Sequence, residues 1–159
     1  MATKNLKVSE VVYDALESEK SGNETFDDVL RRVLDLNPEI ADLAAYLPEN
    51  LRKRSQELAD FIGTLEEFET EVERDANDGY DHVRFVSPES GLTIARVRFG
   101  EDWVMTDYRN RRGDMQKISS FTAGTAEDIG LNIEIEEVWE EIKQENRKKI
   151  KGAYRKWGK

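Results

Sequence analysis

Thr3, Asn5 and Lys7 occupy alternate positions in the run TKNLKV, interleaved with Lys4, Leu6 and Val8. Successive side chains of a strand point to opposite faces. The alternation therefore puts a hydroxyl, an amide and an amine on one face and the aliphatic Leu6 and Val8 on the other. On a two-stranded ribbon such groups are narrow enough to enter a DNA major groove and read base edges; the alternative is the solvated face of a dimerisation element. Other chemistries find less. His82 is the only histidine and cysteine is absent, so the usual zinc sets cannot form. As a general base His82 lacks a serine or cysteine partner, and it reads as a plain surface residue. The stretch Asp75-Ala76-Asn77-Asp78-Gly79 resembles a calcium loop, but its glycine falls one position early and its twelfth position is Val86. Arg112-Gly113-Asp114 reads as a turn. With no phosphate-cradling glycine loop either, the chain is expected to be no enzyme and to use no cofactor and no metal.

The elements that must position Thr3, Asn5 and Lys7 follow at once. Ser9 is suited to cap a helix over about 10–20, whose stripe is Val11, Val12, Ala15 and Leu16. Gly22 supplies the turn, and Thr25 caps a second helix with Asp27 and Asp28 in its first turn. Its stripe is Phe26, Val29, Leu30, Val33 and Leu34, and Asn37-Pro38 ends it. A less regular helical stretch covers 39–47. A long helix is predicted over about 49–74 from Leu51, Leu58, Phe61, Ile62, Leu65, Phe68 and Val72, with Gly63 weakening its middle. Glu66, Glu67, Glu69, Glu71 and Glu73 then lie mostly on its solvated face. The cluster at 75–79 marks a boundary.

Beyond it, HVRFV (82–86), LTIARVRF (92–99), DWVMTDYR (102–109) and MQKIS (115–119) read as an antiparallel meander with Val83, Phe85, Val97 and Phe99 inward. Arg84, Arg96 and Arg98 are expected to pair across strands with Asp81, Asp102 and Asp107, the alternative being an anion-binding face that includes Arg109, Arg111 and Arg112. Thr125 is placed to cap a helical turn. A final helix spans about 134–157 with Ile135, Val138, Trp139 and Ile142 on its apolar stripe. Because 143–149 is wholly polar, the helix is expected to leave the body of the protein there.

A single strand cannot satisfy its own hydrogen bonds, and the next strand pattern begins near residue 80. Helices this short, with so small a core, are marginal alone. A two-fold dimer resolves both: two copies of TKNLKV pair antiparallel, and Leu6 and Val8 cover a core drawn from Val12, Leu16, Phe26, Val29, Leu30 and Val33 of both chains. Residues 1–36, MATKNLKVSEVVYDALESEKSGNETFDDVLRRVLDL, resemble a ribbon-helix-helix DNA-binding domain of the archaeal VapB-type antitoxin and regulator kind. The resemblance rests on Lys4 to Val8, Val12-Tyr13, and Gly22 followed by Thr25-Phe26-Asp27-Asp28-Val29. It implies base contacts from Thr3, Asn5 and Lys7, and phosphate contacts from Lys4, Thr25 and Phe26 at the start of the second helix. It implies operator DNA as ligand, a homodimer, and a toxin or other protein as a further partner.

The charge of −10 is uneven: −5 over 1–48, −6 over 49–79, +1 over 80–120, −7 over 121–142 and +7 over 143–159. The acidity reads by analogy as a halophilic, archaeal surface. The tail carries Arg147, Lys148, Lys149, Lys151, Tyr154, Arg155, Lys156 and Trp157. Cations there complement a helix dipole, hold phosphates between stacking aromatics, or dock an acidic partner. Absent cysteine and any long apolar run or signal peptide, a cytoplasmic protein without a membrane span is expected. The predicted class is α+β. Residues 1–47 form a ribbon-helix-helix unit, 48–79 a helical connector, and 80–159 an antiparallel sheet with a C-terminal helix and basic tail. The expected function is a transcriptional regulator; the alternative is a dimeric protein-interaction module whose sheet and tail hold a partner.

Overall fold

Period-two patterning over the second half becomes a sheet, and the helices on either side of it in sequence supply its cover. The computed structural model describes residues 5–34, 39–45, 47–74, 80–122 and 133–159. The helices are α1 (Glu10–Glu19), α2 (Phe26–Val33), α3 (Ile40–Ala44), α4 (Glu49–Gly63) and α5 (Glu136–Trp157). The strands β1 (Glu69–Glu73), β2 (Asp81–Val86), β3 (Thr93–Phe99), β4 (Trp103–Arg109) and β5 (Met115–Thr122) pair antiparallel in that order. The chain is thus α+β with a meander. The readings at 75–79, at Thr125 and at Asn37-Pro38 lie outside the described residues.

One face of the sheet makes the core. Val83, Val97 and Thr106 stand in register, as do Phe99, Val104 and Phe121 on adjoining strands. All are buried, together with the expected Phe85. α5 crosses β3, β4 and β5, with α4 beside it, and Trp139 meets Phe121 edge-on at 6.2 Å. The other face carries a charged row in register across all five strands: Glu71, Arg84, Arg96, Asp107 and Lys117.

Three expectations are corrected. The helix over 49–74 ends at Gly63, where the Thr64 hydroxyl donates to the Phe61 carbonyl at 2.8 Å, and 69–73 is a strand. The connector is therefore helix followed by sheet edge. Leu65, Phe68 and Val72 fit helical spacing, but Glu71 and Glu73, alternating with Val72, both face Arg84 on β2, and that cross-strand pairing wins. Arg84 is bonded to both glutamates, 2.8 Å from Glu73. His82 is no surface residue: it is 6% exposed, with Nε2 3.2 Å from Glu73.

Nor does the last helix leave the protein at 143–149. Asn146 is fully buried, its amide donating to the Ile142 carbonyl at 2.8 Å and to Ser119 Oγ at 3.2 Å. Ser119 in turn bonds Thr106 at 2.8 Å. A polar residue continues the inward stripe because polar partners await it on β4 and β5. The stripe then runs on through Ile150 and Ala153.

Candidate nucleic-acid interface

Ser9 Oγ accepts from the Val12 amide at 3.4 Å and starts α1 as expected. Gly22 turns the chain at φ 53°, a left-handed conformation that glycine adopts without a Cβ penalty. Arg32 braces the turn from α2, donating to the Glu19 carbonyl at 2.7 Å and to the buried Glu24 carboxylate at 3.1 Å. Arg31 ties the unit to α3 through Asp42 at 3.3 Å and bonds Asp27 at 3.2 Å within its own helix. Asp42, with help from Glu39 and Asp27, holds the Arg31 guanidinium above the ordinary arginine range.

Thr25 caps α2 through a closed box. Its hydroxyl accepts from the Asp28 amide at 3.2 Å and donates to the Asp28 carboxylate at 2.8 Å, while its own amide donates to that carboxylate at 2.7 Å. The hydroxyl and amide of Thr25 are engaged within the helix start, so the Phe26 and Asp27 amides are the donors an arriving phosphate would meet first. Phe26 itself packs its ring 5.0 Å from Tyr13, with Lys20 Nζ 4.0 Å above it.

Asn5 and Lys7 are exposed, in residues 5–9 that precede α1 outside any helix or sheet. Thr3 and Lys4 lie outside the described residues. The aliphatic side chains expected to face inward are in water in the single chain: Leu6 is 72% exposed, Val11 79%, Val33 57% and Leu34 64%, and Val8 and Val12 are more than two-fifths exposed. Among the described residues α1 buries none of its own, and of the apolar stripe of α2 Val29 alone is buried.

The cationic candidates of the second half divide. Arg96 and Arg98 both reach the buried Asp107, at 2.8 and 3.0 Å, and the expected pairing holds for this carboxylate. Arg84 goes instead to β1, a strand that sequence periodicity missed. In the tail, Lys151 bonds the Leu65 carbonyl and Glu66, each at 3.2 Å. Tyr154 meets Phe68 edge-on, and Trp157 Nε1 donates to the Asn110 carbonyl at 3.0 Å. These three belong to the helix's seat on the sheet. Arg147, Lys148, Arg155 and Lys156 are exposed, and Lys149 is half-buried with Nζ 5.6 Å from the Tyr108 ring. Among the described residues no helix is long and apolar enough to cross a membrane. Compared with family models, curated proteins and solved structures, the chain matches none.

Proposed function

We propose that the chain is a homodimeric DNA-binding regulator that reads an operator with a two-stranded ribbon built from residues 3–8 of two copies. The supporting observation is the apolar surface that one chain leaves in water: Leu6, Val8, Val11, Val12, Val33 and Leu34 all lie in the capped two-helix unit and the segment leading into it. Full burial of such a side chain is worth about 1.5–3 kcal/mol, so six left exposed are a strong drive to associate. A second copy offers the same six, and a two-fold axis lets the two leading segments pair edge to edge. With Leu6 and Val8 turned into that shared core, Asn5 and Lys7 point outward with Thr3, as direct readout requires. The Phe26 and Asp27 amides at the start of α2 would then meet a phosphate.

The test is a mobility shift with DNA from upstream of the chain's own gene. The wild type should give a sequence-dependent shift, and Asn5→Ala with Lys7→Ala should abolish it while the dimer persists. A dimer that ignores every DNA sequence and captures a protein instead would be an interaction module.

A further inference from the structure

Six cations converge far from the N-terminal unit, at the end of the sheet where β4 turns into β5. Arg111 and Arg112 stand on the turn, and Lys148, Lys149, Arg155 and Lys156 on α5; between them lies an open groove of about 730 Å³. Its lining holds a single carboxylate, Asp114, in a chain whose net charge is −10. The turn is held in place. Arg109 donates to the Thr93 and Gly113 carbonyls, each at 2.7 Å, and the Trp157 indole fastens Asn110 to α5. Among the described residues no carboxylate pairs with Arg111, Arg112, Lys148 or Arg155. A groove lined by one sign of charge sets up a field that favours an anion from outside the chain.

Gly152 lies in the floor of the groove and makes a second, independent observation. Glycine inside a helix is destabilising relative to alanine. Yet a Cβ at Gly152 would meet nothing within 4 Å, and the residue is exposed. Packing therefore does not demand glycine there. Its absent side chain opens the helix surface between Lys148, Lys149, Arg155 and Lys156 to something approaching from outside.

We propose that this groove binds the phosphate backbone of double-stranded DNA without regard to sequence, as a contact separate from the ribbon. Two banks of cations flanking a bare helix surface suit a strand of phosphates, whose charge is regular and dense. An acidic protein partner is disfavoured because a protein interface needs apolar anchors at its centre. None of the large apolar side chains exposed among the described residues lines this groove.

The test uses the full chain and a fluorescent 24-base-pair duplex of random sequence, titrated by anisotropy across a salt series. Arg111→Ser, Arg112→Ser and Arg155→Ser together should lower the slope of log affinity against log salt by about 2–3, near 0.9 per lost phosphate contact. Gly152→Gln, which leaves the charge unchanged, should raise the melting temperature yet weaken binding about tenfold or more. Lys53→Ser, an exposed cation on α4 outside both contacts, should leave both quantities as in the wild type, and the groove variants should keep the ribbon's preference for operator over random sequence, so this contact and the ribbon's fail separately. The proposal is overturned if the wild type does not bind the duplex in dilute salt or if the groove variants bind like the wild type. Polyglutamate competing as well as duplex at equal charge overturns it too.

Discussion

A methyl group added at Gly100 would run into the indole of Trp103, which folds back over the β3–β4 turn while the Gly100 amide donates to the Trp103 carbonyl at 2.9 Å. Trp103 in turn meets Tyr80 edge-on at 5.1 Å, a contact it would lose by swinging away. Gly100→Ala should therefore destabilise by about 1–3 kcal/mol, read from the denaturant midpoint. Asp107 presents a different dependence, a carboxylate 2% exposed beneath two guanidiniums. Asp107→Ala removes the buried carboxylate that both guanidiniums reach and should cost about 3 kcal/mol, whereas an exposed carboxylate such as Asp114 should cost almost nothing. Asp107 was legible as an arginine partner from residue type and strand order. The burial of His82 was not, because its partner Glu73 sits on a strand whose spacing imitates a helix.

Among elements, α5 departs most from its own sequence pattern. A run of seven polar residues reads as a helix in water, and a single member, Asn146, decides otherwise by meeting Ser119 beneath it. Hydrophobic periodicity cannot register an inward amide whose partner is a serine on a distant strand. The consequence is measurable. Ile150, one turn beyond, is fully buried, so Ile150→Ala should cost about 2–4 kcal/mol in urea unfolding, where a helix projecting into solvent would lose next to nothing. The caps were the most legible feature, since Ser9 and Thr25 act through bonds made within three residues of themselves. Thr25→Ala should cost about 1 kcal/mol. Four of the five strands were legible too, for their apolar runs are set off by turns rich in glycine, asparagine and aspartate, whereas β1 was not.

At the scale of the whole molecule, the sheet with α4 and α5 closes its core within one chain, and the N-terminal unit does not. Sequence pattern marked Leu6, Val8 and the helix stripes as buried. A lone chain buries Val29 but leaves Leu6, Val8, Val11, Val12, Val33 and Leu34 in water, and that mismatch is what a second copy would remove. The two proposed DNA contacts then lie at opposite ends of each subunit. The ribbon sits with α1 and α2, which adjoin the β3–β4 turn through Ser21, Gly22 and Arg32, and the basic groove sits at the β4–β5 turn. The most direct measurement is sedimentation equilibrium of the purified chain at micromolar concentration, in dilute and in concentrated salt. A species of twice the 18.4 kDa chain mass is expected in both. Leu6→Asp with Val12→Asp should reduce it to single chains whose sheet remains folded by circular dichroism. A wild type that sediments as one chain in both buffers would contradict the dimer, and with it the ribbon.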